Sequence, residues 1–390
     1  MQFSNIIGQQ HIISQLKEMV NHNRLSHALL FIGKDGSGAL PLALAFSSYV
    51  VTQSEKNKPV AATASLFGEE PVTPSSHGAD LAEKYIHPDI HYSYPVISKK
   101  SGDKPISTDF ITKWREFIKL YPYGNVYDWL QMIGAENKQG NITSAECADI
   151  IRKLNLKSFE SEYKILVLWM AEFLGKEGNK LLKLIEEPPA NTLFILITEN
   201  EDLVLPTIVS RCQTVRIPPL DITEVATALM QRSKLNEEQA NQIAGVSEGN
   251  YREALQLIQH AEEDWQSLLR DWLNAILKTG PIAQVKWVDV ISQQGREKQK
   301  QFLRYFNHLL EQSIRLRTMG EEHLPLTGAE KDFAIRLNKL CDVSQQQAIT
   351  EELDRCSYYI ERNAHAKMLF MALTIKLYHI IANKTVIEVL

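Results

Sequence analysis

Three apolar runs punctuate the first half of the chain: HALLFIG (27–33), KILVLWM (164–170) and TLFILIT (192–198). Each is strand-sized, near-continuous in apolar side chains and bounded by breakers. Helical patterns alternate with them over residues 1–218, and this arrangement predicts a parallel sheet covered by helices on both faces. Residues 54–84 are rich in Ser, Pro, Ala and charge and read as a loop excursion. Residues 100–160 read as an insertion with one or two helices. IPPL (217–220) marks a boundary, and no strand is expected after it. ITEVATALMQRS, NEEQANQIAGV and NYREALQLIQHAEE predict three short helices, with Asp221 and Asn236 placed as N-caps. From about residue 265 the pattern is one of long amphipathic helices, in which Ile349, Leu353, Cys356 and Ile360 recur at helical spacing. The expected domains are 1–218, 219–264 and 265–390.

Composition changes this picture little. The 390 residues are 44% hydrophobic and 23% charged, as in globular proteins generally. The formal net charge of −5 gives no overall pull on nucleic acid. No basic stripe with interleaved aromatics marks a general DNA-binding surface, and contact with DNA alone is expected to be weak. The four cysteines, Cys147, Cys212, Cys341 and Cys356, form no C-x-x-C pair. That argues against a disulfide framework and fits a cytoplasmic location. Cys147, Cys341 and Cys356 read as core thiols. Neither a signal peptide nor a membrane-length apolar run is visible.

The informative stretch is FIGKDGSGALPLALAF (31–46). Gly33 and Gly38 hold the two glycine positions of the phosphate-binding pattern G-x-x-x-x-G-K-[ST], with Gly36 between them. The lysine and hydroxyl positions carry Ala39 and Leu40, which can neither neutralise phosphate nor hold Mg²⁺. A Walker B strand should end in metal-holding acids. In KILVLWMAEFL those positions are Trp169 and Met170, and Glu172 comes too late to replace them directly. Two separate segments have thus lost the groups that would act on one Mg–nucleotide. The plainer reading is a strand–turn–helix that happens to contain glycines.

GNKLLKLIEEPPANTLFILIT (178–198) and LPTIVSRCQTVRIPPL (205–220) resemble the AAA+ subunits of bacterial DNA polymerase III clamp loaders. FSNIIGQQHIISQLKEMVNHNRLSHALLFIG at the start, HPDIH (87–91), GNYREAL (249–255) and NAHAKMLFMALTIKL near the C-terminus are similar to the same family. The resemblance implies an α/β AAA+ core over 1–218, a small helical lid over 219–264 and an all-α collar over 265–390 that assembles a pentamer. It further implies a role in loading the sliding clamp on primed DNA, with gamma/tau ATPase subunits and the delta subunit as partners. The gamma and tau members keep both Walker motifs; another member commonly has a degenerate P-loop, as Ala39 and Leu40 suggest here.

The same resemblance assigns Ser210 and Arg211 to the motif that supplies an arginine finger to a neighbour's nucleotide, and Arg252 to sensor 2. A local salt bridge is the plain alternative for Arg211. For Arg252, with the loop empty, the favoured role is packing lid against core. Thr198 falls at the sensor-1 position and receives no catalytic role. The family's four-cysteine zinc module is missing, because the interval before HPD has no cysteine. His77, His87 and His91 remain there, too few for a structural site. The expectation is a non-catalytic subunit with no bound cofactor, nucleotide or zinc, of its own. The alternative is an active gamma/tau-like ATPase with an atypical loop.

Overall fold

The computed structural model describes residues 1–56, 77–98, 102–135, 138, 140–259, 265–320, 328–362 and 364–384. They divide into two compact units, Met1–Gln259 and His260–Leu390.

The first unit is built on a five-stranded parallel sheet: β1 (Ala28–Gly33), β2 (Ile90–Ser93), β3 (Lys164–Trp169), β4 (Thr192–Thr198) and β5 (Gln213–Ile217). The spatial order is β2-β3-β4-β1-β5, and every pairing is parallel. The three apolar runs are the three central strands. Side chains alternate across a strand, so each run feeds both faces. Leu29, Phe31, Ile165, Val167, Trp169, Leu193, Ile195 and Ile197 join one core with the helices Gln10–Asn21, Ala39–Lys56, Ile111–Leu120 and Val126–Met132. Ala28, Leu30, Leu166, Leu168, Phe194 and Leu196 join another with the helix Ser144–Leu154 and the turns that follow β3 and β4. Burial on both sides is why these strands carry no polar alternation.

Two sequence expectations change. The helix after β1 runs on to Lys56, and a further helix spans His77–Glu83, so part of 54–84 is helical. The loop predicted across residues 57–76 lies outside the described residues. The 100–160 segment holds three α-helices, Ile111–Leu120, Val126–Met132 and Ser144–Leu154, rather than one or two. Val126–Met132 has only seven residues, too few for a periodicity to show. It is fixed locally by Asn125, whose side chain accepts from the Tyr127 and Asp128 backbone N–H groups.

Helices Ile222–Ser233, Glu237–Ser247 and Tyr251–Gln259 follow β5. Asp221 and Asn236 cap the first two, accepting from Thr223 N and Gln239 N. Val225, Leu229, Ala240, Ala244 and Ala254 form a small core that also takes in Ile7 and Tyr123.

The second unit is helical over its described residues, from Trp265–Asn274 to Ala366–Ile381. Its core centres on Trp272 and Trp287, stacked at 4.4 Å, with Phe302, Phe306 and Phe370 around them. Ile349, Leu353, Cys356 and Ile360 line the buried stripe of Val343–Glu361 as their spacing predicts.

Candidate functional site

In an all-parallel sheet the loops after the strands gather at the carboxyl edge, where ligands of α/β folds bind. Here β1, β3 and β4 deliver Gly33, Trp169 and Ile197 to one cleft. Lys34, Asp35, Gly36, Gly38, Ala39 and Leu40 line it with Met170, Glu199 and the segment Pro122–Gly124. The sequence-predicted loop and the two Walker B positions are therefore brought together. The cleft holds about 30 Å³, room for a water or two and far below the ~300–1,000 Å³ of ligand pockets.

Protein side chains account for the missing space. Leu40 is buried at the head of the helix Ala39–Lys56. Trp169 lies in an aromatic cluster, its ring 5.2 Å from Trp114 and 5.6 Å from Phe117. Tyr94 stacks on Trp114 at 4.0 Å, and Trp129 meets both edge-on. Trp114, Phe117 and Trp129 all come from the 100–160 segment, so that insertion packs against the end of β3. Met170, which also lines the cleft, has a left-handed backbone, φ 61° and ψ 61°. Side chains stand close against two of the glycines. A Cβ on Gly36 would stand 1.9 Å from Asn250 Oδ1, and one on Gly38 would stand 3.0 Å from the Tyr123 ring.

Arg252 is buried. Its Nε and Nη2 donate to the two carboxylate oxygens of Asp128, at 2.5 and 2.8 Å, and its Nη1 lies 3.4 Å from Asp35 Oδ2. Asp35 stands in the phosphate loop itself and also accepts from Asn125 Nδ2 at 3.2 Å. Arg252, on the helix Tyr251–Gln259, thus meets one carboxylate from the helix Val126–Met132 and one from the glycine loop. Asp128 gave no signal in the sequence. Asp35 was not singled out either, although an acid in a glycine loop of this pattern is an unusual residue.

Nearby, the Glu172 carboxyl accepts from Glu199 N at 3.1 Å. Burial pushes its pKa up, against backbone hydrogen bonds that favour the charged form. Thr198 is buried, and its hydroxyl closes a local turn by donating to Asn200 O at 3.0 Å.

Ser210 and Arg211 lie at the end of the short helix Pro206–Val209, away from the cleft-lining residues. The Arg211 side chain is about one-third exposed. Its Nε donates to Glu186 Oε1 at 2.5 Å, and its Nη1 donates to Thr207 O at 2.8 Å.

Two of the three candidate histidine side chains, those of His87 and His91, are among the described residues. His77 opens a helix, and its side chain lies outside the described residues. His87 is buried and accepts from Asp89 N at 3.2 Å. The Asp89 carboxylate accepts from Phe159, Glu160 and Ser161 N–H groups at 2.6, 2.7 and 2.7 Å, tying β2 to the loop before β3. His91 is pushed down to about 4, first by burial and then by Lys153. Cys147, Cys341 and Cys356 are buried thiols, and Cys212 is half-buried.

Residues 8–221, most of the first unit, match the family described as "DNA polymerase III, delta subunit". The chain belongs to that family. It is similar to the DNA polymerase III subunit delta' of Bacillus subtilis, 25% identical over 65% of this chain and 60% of that one. It is also similar to the Bacillus subtilis subunit tau, 25% identical over 73% of this chain and 41% of that one. With Haemophilus influenzae subunit tau/gamma it shares 24% identity over 66% of this chain and 30% of that one. The chain therefore spans less than two thirds of each of these relatives. Among solved structures it resembles a gamma-subunit-related protein of Thermotoga maritima, with 16% identity and a TM-score of 0.41 over 94% of this chain and 99% of that one. It also resembles the Bacillus subtilis DNA clamp loader delta protein, with 10% identity and a TM-score of 0.31 over the same shares.

Within the delta-subunit family match fall the glycine loop, Trp169, Met170, Ser210 and Arg211; Arg252 lies beyond it. Among the described residues, no helix is long and apolar enough to cross a membrane.

Proposed function

We propose that the chain is a non-catalytic, delta-prime-like subunit of a DNA polymerase III clamp loader. The observation that carries this reading is the filled cleft. Where a P-loop ATPase needs lysine, hydroxyl and acids, this chain has Ala39, Leu40, Trp169 and Met170, each buried. The arginine at the sensor-2 position is bound to carboxylates of its own chain. On this reading the subunit works through its neighbours. The partners are gamma/tau-type ATPase subunits and a delta-type subunit, held together through the helical second unit as a collar. The assembly acts on a sliding clamp and primer–template DNA in the cytoplasm.

The chain's own contribution to ATP hydrolysis is Arg211, offered in trans with Ser210 beside it. A guanidinium placed on the transferring phosphoryl group stabilises charge that develops in the transition state, an effect worth about 10³–10⁵ in rate in related systems. A subunit with a filled cleft can still complete the neighbouring site. No cofactor is required in cis.

The second reading, an active gamma/tau-like ATPase with an atypical loop, has the similarity to tau in its favour. The residues of the loop speak against it. Purification of the chain with gamma/tau-type and delta-type subunits, followed by mass measurement of the complex, tests the proposal. A stable hetero-oligomer containing this chain is expected. A chain that stays alone, or replaces the ATPase subunits and turns over ATP, overturns it.

A further inference from the structure

The helices Ile222–Ser233 to Tyr251–Gln259 meet the glycine loop through a set of contacts that leaves no role for a ligand. The Arg252 guanidinium holds Asp128 with two parallel hydrogen bonds and reaches Asp35 in the loop. Tyr251 N points to Gly36 O at 3.4 Å. Asn250 lies flush against Gly36, in the space a Cβ would need, while its Oδ1 accepts from Glu253 N at the head of Tyr251–Gln259. Asn125 completes the set, donating to Asp35 from the cap of the helix that carries Asp128. Tyr123 adds a second tie between segments: its hydroxyl accepts from Ile7 N at 2.8 Å, and its ring meets Tyr251 at 5.0 Å.

A guanidinium forked on a carboxylate has the geometry and charge balance that it would have on a phosphate. Two carboxylates already balance the charge of this buried arginine. They also put negative charge where an incoming phosphate would sit.

From this geometry we infer that Asp128 and Asp35 act as a built-in substitute for nucleotide phosphate. Through Arg252 they hold the helical segment 222–259 closed on the glycine loop, permanently and without ligand. In an ATPase that couples such a segment to nucleotide, closure comes and goes with the phosphate. Here the clasp is covalently part of the chain, and the segment behaves as a fixed extension of the sheet core. This inference rests on contacts within the chain and does not depend on the assembly proposed above.

Hydrogen–deuterium exchange of the isolated full chain tests it, with no partner subunit and no ATPase measurement involved. The variants are Arg252→Met and Asp128→Asn. Asparagine keeps an oxygen to accept from Asn125 N, so the cap of Val126–Met132 survives while the charge is lost. Both variants should raise exchange over 222–259 by roughly tenfold or more, leaving β1, β3 and β4 protected. In the unmodified chain, Mg–ATP and inorganic phosphate should leave exchange over 222–259 unchanged. Should Arg252→Met unfold the whole unit, Asp128→Asn decides. Unaltered protection of 222–259 in a folded Asp128→Asn chain overturns the inference. So does protection that rises in the unmodified chain when Mg–ATP or phosphate is added.

Discussion

Arg211 and Glu186 are joined across the surface of the first unit, with the Arg211 Nε 2.5 Å from Glu186 Oε1. Both side chains are more than a third exposed, and such pairs contribute about 0–1 kcal/mol. Glu186 thus steadies the guanidinium at little cost to its release. Arg211→Ala should leave the melting temperature of the isolated chain within a degree or two and leave assembly intact. On the proposed assembly, in which one of several interfaces would use this arginine, it should partially lower the DNA- and clamp-stimulated ATPase of a reconstituted complex. Arg211→Lys should not restore it fully, because a point charge lacks the guanidinium fork. Unchanged ATPase in an intact complex would remove Arg211 from the mechanism.

The chain alone should neither hydrolyse ATP nor bind Mg–ATP at micromolar concentrations. Ala39 and Leu40 supply no cation or hydroxyl, and the cleft they line is water-sized. Isothermal titration calorimetry reads this directly; a micromolar Kd, abolished by altering the loop, would contradict it.

Metal analysis of tag-free protein should find no stoichiometric zinc. His87 is committed to Asp89 and its loop, and the interval before it has no thiolate to offer. One zinc per chain would mean that carboxylates and histidines make a site of another kind.

Glu146 gives a pH prediction. It is buried, its carboxyl accepts from Ser107 N at 2.6 Å, and burial raises its pKa above the ordinary 4.5. The folded chain then holds this proton where the unfolded chain has released it. The stability from Glu146 is therefore complete below pH 4.5 and is lost as pH rises through the higher folded value, by up to about 1.4 kcal/mol per pH unit. Glu146→Gln does not titrate. The difference in melting temperature, variant minus unmodified chain, should grow as pH rises above 4.5 and level off above the folded value. A flat or falling difference would show that the buried carboxyl is held charged.

Gly36→Ala and Gly102→Ala separate backbone strain from crowding. Both glycines have positive φ, 71° and 84°, but a Cβ meets Asn250 at 1.9 Å in the first and open space in the second. Gly102→Ala should cost roughly 1 kcal/mol in chemical denaturation and Gly36→Ala about 1–3 kcal/mol more. Equal costs would mean that Asn250 moves aside freely.

The central strands were legible because burial on both faces leaves a sequence of apolar residues with no alternation. The edge strands were not. β2 reads Ile-His-Tyr-Ser over four residues, and β5 exposes Gln213, Thr214 and Arg216. Neither is apolar enough or long enough to stand out. Asp221 and Asn236 were legible because a cap is a local device. The glycine loop and its missing ligands could likewise be read from adjacent residues. The carboxylates that hold Arg252 could not, since Asp128 is 124 positions away and only the fold brings them together.

On the proposed reading, the aromatic cluster around Trp169 also stands in the way of an acid at that position. A single Trp169→Asp would set a carboxylate beside the Trp114 and Phe117 rings and would vacate an indole's volume in the core. An unpaired buried charge and a large cavity each cost several kcal/mol, against a typical total stability of about 5–15 kcal/mol. A working metal site would need the rings of the insertion to shrink or withdraw at the same time as the acid returned. Any one of those changes alone is a defect in packing. On the proposed reading, an acid at position 169 would therefore have to arrive together with several compensating changes in the packing of the insertion.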